Sequence, residues 1–400
     1  YTATYDVEGN FYAGGIVLAT GFPVTNGAFQ TTYQGGFNGG EGSGIDIGIM
    51  KFNSTGTSRL YATYIGGSTG NEQPHSLIVD NNNNLIIAGR TNSSNYPTTL
   101  STVGIGGDWD IVLTKLNSTG TALINSRKIG GSQADGVNIR PKSTGVAGAV
   151  SIRRNYGDDA RSEVIIDNAG NIYLASCTQS INFPTTPGSA QPTPGAIGVN
   201  NFFQDGVVLK TSPDLSTILF STFLGGGGDD AAFVLSINPE DGNIFVAGGT
   251  TSSNLLGDKT GVIFPTFQGG VTDGYITILN NNGSQFLKTT YIGTNGIDIV
   301  FGIQFDRFGF PYIMGTTTGA WPIVSAAFSQ PNGKQFVAKL KKDLSAWEFS
   351  TVFGTNSTSP NISPFAFLVD RCSNMYVSGW GGVINHDYVP AQSTSGLPVT

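Results

Sequence analysis

The sequence predicts an all-β fold, a β-propeller with four-stranded antiparallel blades, from its composition, an internal repeat and a recurring strand pattern. Glycine supplies 57 of the 400 residues and charged residues only 12%, against averages of ~7% and ~25% in soluble proteins. Hydrophobic residues reach 38%, which is enough for a large core, so disorder is not expected. This composition is typical of a chain with many turns and little helix.

The internal repeat is a turn followed by a short apolar strand, and it occurs six times. We assign a structural role in this turn to four asparagines: Asn10, Asn171, Asn243 and Asn374. A Pro preceded by an aromatic residue or Leu follows each copy, as in Phe22-Pro23 and Tyr96-Pro97. The offset from the turn to this aromatic residue is 12 positions from Asn10, Asn84 and Asn171. A fixed offset indicates a true repeat.

Two further strands close each unit. The first of them begins with an aspartate in four units, at Asp46, Asp110, Asp205 and Asp273, and the second ends in glycine. Turn-forming Gly, Asn, Asp and Pro residues separate the strands. Four short strands in every unit, without helical periodicity, predict a propeller blade. A β-solenoid is the rival architecture, but its repeats are much shorter than these units.

We divide the chain into about six blades of one propeller domain, 1–400, that is truncated at both ends and completes its ring outside this sequence. The predicted units are 1–67, 68–131, 132–226, 227–293, 294–354 and 355–400. Two segments interrupt the repeat, one between Gly131 and Glu163 and one from Asn254 to Val262. We expect both to form loops on the rim or on a face of the propeller.

The assembled pattern resembles the bacterial SBBP family of seven-bladed β-propeller repeats. It contains Asp-x-x-Gly-Asn-Ile-Tyr, then Phe-Pro-Thr with Gly-Ala-Phe-Gln, then Asp-x-Val-x-x-Lys-Leu and Ser-Thr-Tyr-Ile-Gly-Gly. The stretch from Asp370 to Gly382 also resembles large surface proteins of gliding Bacteroidota that the type IX secretion system exports. The resemblance implies a secreted or cell-surface protein for adhesion or display, with a link to gliding motility. It further implies secretion-system components of the outer membrane as partners, beside cell-surface glycans or proteins.

Several functions are not expected. The net charge of -7 and the scarcity of clustered Lys and Arg argue against nucleic-acid binding. No apolar run is long enough to span a membrane. No Gly-x-Ser-x-Gly nucleophile motif or phosphate-binding loop is present, and we predict neither catalytic residues nor a cofactor.

Metal binding is not expected either. His75 and His386 have no second His or Cys at ligand spacing, and we interpret them as solvated or hydrogen-bonded. The four strand-head aspartates are interpreted as acceptors of backbone N–H groups, with calcium binding as the alternative. Asp229-Asp230 and Asp158-Asp159 are further candidates for an ion site. Cys177 and Cys372 lie in distant units, so we predict that they are not bonded to each other.

The sequence favours a non-enzymatic scaffold, and it places binding in the longer insertion. That segment carries an unusual share of the scarce charge, including Arg140, Lys142, Arg153, Arg154, Asp158 and Asp159. The alternatives are a propeller that binds or degrades polysaccharide in its channel, and a purely structural domain. Clustered carboxylates with a His or Tyr at one channel mouth would favour the enzyme.

Overall fold

A computed structural model describes residues 2–36, 44–136, 161–195, 204–356, 358 and 360–381. All regular structure in these residues is β-strand, in six sheets that we number as blades 1 to 6 along the chain. Four sheets have four strands, blade 2 has five and blade 6 has two. The prediction of an all-β propeller with four-stranded antiparallel blades is confirmed. No helix able to cross a membrane is found in the described ranges.

The strands follow chain order from the inside of each blade outwards, except for a short extra strand, β7, at the outer edge of blade 2. The strands of blades 1 to 3 are β1 (Thr2–Tyr5), β2 (Phe11–Val17), β3 (Asp46–Phe52), β4 (Arg59–Ile65), β5 (Glu72–Val79), β6 (Leu85–Thr91), β7 (Val103–Gly104), β8 (Asp110–Leu116), β9 (Leu123–Gly130), β10 (Glu163–Ile166), β11 (Ile172–Thr178), β12 (Asp205–Thr211) and β13 (Ile218–Leu224). Those of blades 4 to 6 are β14 (Asp230–Ile237), β15 (Ile244–Thr250), β16 (Asp273–Leu279), β17 (Phe286–Ile292), β18 (Asp298–Phe305), β19 (Pro311–Thr317), β20 (Gln335–Leu340), β21 (Trp347–Phe353), β22 (Ile362–Val369) and β23 (Met375–Gly381).

The first strand of each blade lies nearest the propeller axis. First strands contact one another in succession, β1 with β5, then β10, β14, β18 and β22. The fourth strands are therefore outermost, as in other propellers. We call the end of the molecule at which first and third strands begin the junction end, and the opposite end the turn end.

The core lies between neighbouring blades. Strands β6, β8, β11 and β15 are buried along their whole length. Leu113 of blade 2 and Leu174 of blade 3 belong to one buried cluster, and Val208 of blade 3 shares another with Val246 of blade 4. A single blade cannot bury both of its faces, so the stacking of blades explains why these strands are continuously apolar.

The aromatic residues before proline anchor the segment between the second and third strands. The Tyr96 hydroxyl hydrogen-bonds Thr114 Oγ1 at 2.8 Å, and the Trp321 indole N–H donates to Ser350 Oγ at 2.7 Å. Phe183 packs edge-to-face on Phe223. Each of the three thus holds this segment against the outer strands of its own blade.

The two cysteines are unbonded, as the sequence analysis predicted. Cys177 is buried in β11, and Cys372 is exposed in the turn that precedes β23.

Candidate functional site at the propeller axis

The turn asparagines hold the connection between first and second strands at the turn end. In blade 1 the Asn10 backbone N–H and side-chain amide donate to the two oxygens of Asp6, at 2.8 and 2.9 Å. The same two bonds recur at Asn171–Asp167, at Asn374–Asp370 and, with a shorter spacing, at Asn243–Asp241. An Asx turn of this kind is a structural device, because it supplies the backbone with hydrogen bonds at the reversal.

A lysine neutralises the turn aspartate in four blades, a feature that the sequence analysis did not identify. In blade 2, Lys115 Nζ lies 2.8 Å from Asp80 Oδ2, and both side chains are only 9% exposed. Burial opposes the ionisation of Asp80, but its bonds to Lys115 and Asn84 outweigh burial and keep the pKa of Asp80 below its usual value. The equivalent ion pairs are Lys51–Asp6, Lys210–Asp167 and Lys339–Asp306.

Blade 4 lacks this ion pair because both positions change together. Asn238 stands where the other blades have the turn aspartate, and Ile278 stands where they have the lysine. Phe245 also replaces the tyrosine that contacts the aspartate in blades 1 and 3. This covariation among the repeats was the available sequence signal.

The strand-head aspartates accept backbone N–H bonds from the segment that precedes them. The donors to Asp46, Asp110, Asp205 and Asp273 are the N–H groups of Gln34, Gly107, Gly195 and Gln268, respectively, at 2.8, 3.1, 2.9 and 2.5 Å. These bonds fix the entry of the chain into each third strand.

Each strand-head aspartate also neighbours an acidic residue that begins the first strand of the next blade. The four junction pairs are Asp46–Glu72, Asp110–Asp135, Asp205–Asp230 and Asp273–Asp298. At every pair the backbone N–H of the second acid donates to the carbonyl directly before the first, at 2.8 or 2.9 Å. The sequence analysis named Asp230 only as a candidate ion ligand and did not recognise the pairing, because the partners lie in different repeats.

The charged residues assigned to the binding loop, Arg140, Lys142, Arg153, Arg154, Asp158 and Asp159, lie outside the described residues. The residues that flank this segment are described, and they show where its two ends lie. Asp135 pairs with Thr178, Gly136 N–H donates to the Cys177 carbonyl, and Glu163 pairs with Ala175. The chain therefore leaves and re-enters within the first strand of blade 3, at the axis and away from the rim.

The first strands of blades 2, 4 and 5 have a β-bulge at the level where blade 3 carries its insertion. The bulged residue is His75 in blade 2, Phe233 in blade 4 and Phe301 in blade 5. Phe233 and Phe301 are fully buried and stack on each other, with ring centroids 5.8 Å apart. By register, Ser162 takes the bulge position in blade 3. Blades 2 and 3 thus carry polar residues where blades 4 and 5 carry phenylalanine.

The polar residues form a chain of hydrogen bonds between blades 2 and 3. His75 Nδ1 lies 3.0 Å from Ser162 Oγ, and Ser162 Oγ lies 2.7 Å from Ser176 Oγ. His75 Nε2 is buried and has no hydrogen-bond partner among the described residues. Burial, reinforced by the nearby charge of Arg90, lowers the pKa of His75 well below its usual value, so the imidazole is neutral.

Arg161 and Glu163 flank Ser162 and bond to residues of blade 5 and blade 4, respectively. Arg161 Nη2 donates to the carbonyl of Phe301 at 2.6 Å, which joins blade 3 to the non-adjacent blade 5. Glu163 Oε2 accepts the backbone N–H of Leu235 at 2.9 Å. Burial raises the pKa of Glu163 to about 7 and lowers that of Arg161 to about 10. We define the axial cluster as His75, Arg161, Ser162, Glu163 and Ser176.

Among the described residues, the axial cluster does not form the Ser-His-carboxylate arrangement of a serine nucleophile. A serine nucleophile needs a histidine whose second nitrogen is oriented by a carboxylate. His75 faces Ser162 through Nδ1, and its other nitrogen faces no acceptor in the described part of the chain. The second histidine, His386, lies outside the described residues. No group of three His, Cys, Asp or Glu side chains within the described ranges could hold a metal ion.

Comparison with known proteins is consistent with a propeller repeat. Residues 60–97 match the SBBP family, described as a beta-propeller repeat. The match runs from the outer strand of blade 1 through β5 and β6 of blade 2 and includes His75. No curated protein sequence matches the chain.

Solved structures offer distant similarities. One is a protein of unknown function from Dyadobacter fermentans, 11% identical with a TM-score of 0.46, and the alignment covers 96% of this chain and 90% of that one. Another is a polysaccharide lyase, an ulvan lyase bound to a sulfated saccharide, 13% identical with a TM-score of 0.42 over 95% of this chain and 79% of that one. These identities and TM-scores are too low to bear on activity.

Proposed function

We propose that this β-propeller is a non-enzymatic scaffold, secreted or displayed at a cell surface, that binds its partner through the segment 137–160. The observation that supports the proposal is the position of Gly136 and Arg161, which occupy adjacent places in the first strand of blade 3. The blade therefore accommodates this charged segment without any change in its own pairing. Partners of matching chemistry are anionic or polar cell-surface glycans and proteins.

Adhesion or display, export by the type IX system and a link to gliding form the finer part of the proposal. They are supported by the resemblance of the repeats, and of the stretch from Asp370 to Gly382, to surface proteins of gliding Bacteroidota. Fractionation of producing cells and protease treatment of intact cells test the location. A chain that is found only inside the cell contradicts this part.

Deletion of residues 137–160 tests the binding role. Joining Gly136 to Arg161 gives Asp135-Gly136-Arg161-Ser162-Glu163, which aligns with the uninterrupted strand Asp230–Val234 of blade 4. We expect a folded protein with an unchanged β-sheet circular dichroism spectrum and no binding to glycan arrays or intact bacteria. Lys342→Gln, which removes an exposed charge at the turn end, is the control and should bind normally. Undiminished binding by the folded deletion variant rules out the binding role of the segment.

A polysaccharide-binding or polysaccharide-degrading propeller is the second candidate, favoured by the polar residues at the axis. His75 Nε2, which lacks a hydrogen-bond partner among the described residues, is the buried polar atom of the axial cluster that a ligand or substrate would satisfy. His75→Phe installs the residue type that blades 4 and 5 use at the bulge, so the fold should persist. If the chain depolymerises a polysaccharide and this variant does not, the enzyme is the correct assignment. If neither has activity on a panel of acidic and neutral polysaccharides, the scaffold stands.

A further inference from the structure

The junction pair Asp205–Asp230 presents an electrostatic problem. Both side chains are fully buried, and Asp230 lies against Asp205 because its N–H donates to the carbonyl of Gln204. Two ionised carboxylates in such a site repel each other and lose hydration, so an uncompensated pair is very costly.

The two carboxyl groups differ in their hydrogen bonds. Asp230 is well solvated by the protein: Thr250 Oγ1 donates to Oδ1, while the Gly226 N–H and Ser252 Oγ donate to Oδ2 at 2.7 Å each. Asp205 Oδ2 accepts one bond from Gly195 N–H, but Asp205 Oδ1 is buried and has no donor among the described residues. The three hydrogen bonds to Asp230 favour its ionised form. Asp205 Oδ1 receives no such bond, so a proton on this oxygen is needed to avoid a buried charge.

Other junctions of the same molecule show how the charge is otherwise neutralised. At the pair Asp110–Asp135 a lysine, Lys128, takes the place of an aromatic residue and lies 2.9 Å from Asp110 Oδ2. The corresponding residue beside Asp205 is Phe223, which cannot supply a charge.

The junction between blades 5 and 6 has no acidic pair. The aligned positions are Lys334 and Ile362, and the neighbouring Gln335 and Asn361 bring two neutral amides to the turn at Gly354. At these two junctions the acidic pair is either supplied with a cation or replaced by amides, and an amide has the shape and donor of a protonated carboxyl group.

We propose that Asp205 and Asp230 share a single proton at neutral pH, carried on Asp205 Oδ1 and directed at the Asp230 carboxylate. The bond between them closes the junction of blades 3 and 4, and loss of the proton to solvent loosens it. The junction is therefore a proton-dependent lock between two blades. Burial, and next the charge of Asp230, raise the pKa of Asp205 well above its usual value.

The groups around the pair supply no competing positive charge within the described residues. The titratable neighbours that interact with it are Asp229, Cys177 of β11, Tyr275 of β16 and Tyr291 of β17. All of them are neutral or acidic near pH 7. Residues 196–203, which directly precede β12, contain no ionisable side chain.

A bound calcium ion is the alternative source of positive charge, and the ligand set argues against it. Calcium takes six to eight oxygen ligands. Within the described part of the chain, Asp205 Oδ1 is the one carboxylate oxygen of this pair without a donor. A proton needs only that one oxygen.

The variant Asp205→Asn tests the lock in the full chain, because the amide keeps the shape and a donor but cannot ionise. We expect its melting temperature to match wild type at pH 5 and to exceed it by about 2 to 4 °C at pH 9. The infrared spectrum of the wild type at pH 7 should contain a protonated-carboxyl band, and this band should be weaker in the spectrum of the variant. Asp110→Asn is the matched control: it leaves Lys128 buried without its carboxylate and should lower the melting temperature at both pH values.

Three results would overturn the proposal. One is an equal loss of melting temperature by Asp205→Asn at pH 5 and pH 9. Another is an unchanged carboxyl band in that variant. The third is a wild-type melting temperature that rises with added calcium and falls with a chelator while Asp205→Asn does not respond, which would identify a cation in place of the proton. If Asp205→Asn does not fold, absence of any protonated-carboxyl band from the wild type at pH 7 is decisive against the lock.

Discussion

At the scale of single residues, the ion pairs of the turn end show how the repeats substitute for one another. Asp80 and Lys115 are joined at 2.8 Å in a site that water hardly reaches, whereas blade 4 fills the same site with Asn238 and Ile278. A buried ion pair is often no more stabilising than an apolar replacement, but a single buried charge left without its partner is costly. The site is therefore stable either with the Asp–Lys pair or with Asn and Ile. Exchange of only one of the two residues leaves a buried charge without its partner.

We predict that Lys115→Met lowers the free energy of unfolding by about 3 kcal/mol, because it leaves the Asp80 carboxylate buried and unpaired. The double variant Asp80→Asn, Lys115→Ile, which copies blade 4, should recover most of this loss. Denaturant unfolding followed by tryptophan fluorescence measures both. Lys342→Met, in the exposed pair with Glu240, is the control and should cost less than about 1 kcal/mol. A double variant no more stable than Lys115→Met would contradict the prediction that the two residues can be replaced only together.

At the scale of elements, the turn between the third and fourth strands of each blade packs on the preceding blade. The sizes of the turn residue and of the residue that it contacts compensate each other. Its fourth residue has a left-handed backbone in every complete blade, and it is glycine in blades 1, 2 and 4 but Leu215 and Leu344 in blades 3 and 5. Gly283 lies under the ring of Phe220, whereas Leu344 is buried beside a blade that has Lys288 at the equivalent position. Large and small residues thus alternate across the junction.

Gly283→Leu should be strongly destabilising, by about 3 kcal/mol or more, because the ring of Phe220 lies 2.2 Å from the position of the added Cβ. Adding Phe220→Asn should restore part of the loss, since blades 2 and 3 combine Asn125 with Leu215. Gly56→Leu has the same left-handed backbone, with φ 69°, and open space around it. It should cost only the backbone strain of about 1 to 2 kcal/mol. Thermal unfolding compares the three variants, and equal losses for Gly56→Leu and Gly283→Leu would disprove the volume argument.

Sequence patterns predicted the elements well because each blade repeats the same local chemistry. The aspartates predicted to begin a strand in four units, Asp46, Asp110, Asp205 and Asp273, are the first residues of β3, β8, β12 and β16. What could not be predicted is which residues meet across repeats. Asp205 meets Asp230, and His75 meets Ser162, only after the blades stack, because these contacts depend on the order of blades around the axis. The point at which the insertion interrupts the first strand of blade 3 could not be predicted for the same reason, because it depends on the pairing of Gly136 with β11.

At the scale of the whole molecule, acidic groups of opposite behaviour occupy the two ends. At the turn end, the lysine and Asx-turn bonds outweigh burial and hold the pKa of Asp6, Asp80, Asp167 and Asp306 below their usual values. At the junction end, burial raises the pKa of Glu72, Asp135 and Asp273 to about 7. Protonation therefore breaks ion pairs at the turn end and removes buried negative charge at the junction end.

The stability of the chain should be greatest near pH 4 to 5. Below this range the turn aspartates take up protons and their ion pairs are lost. As the pH rises from about 4 to about 7, the unfolded carboxyl groups are already ionised, so the junction acids must release protons that only the folded state holds, and stability falls. Melting temperatures recorded from pH 2 to pH 9 test this prediction. A maximum above pH 7 would contradict it.

The interrupted strand of blade 3 also has a practical consequence for engineering. Its hydrogen-bond ladder passes from Gly136 to Arg161 as if the two were consecutive, so the blade sets no length for what is placed between them. A foreign peptide, or a small domain whose own termini are adjacent, can therefore be grafted at this point; adjacent termini are common in compact domains. The equivalent point between Ala231 and Ala232 in blade 4 has the same geometry without a native insertion. The propeller thus has a second insertion point for a foreign peptide or domain, beside the one that carries the native segment.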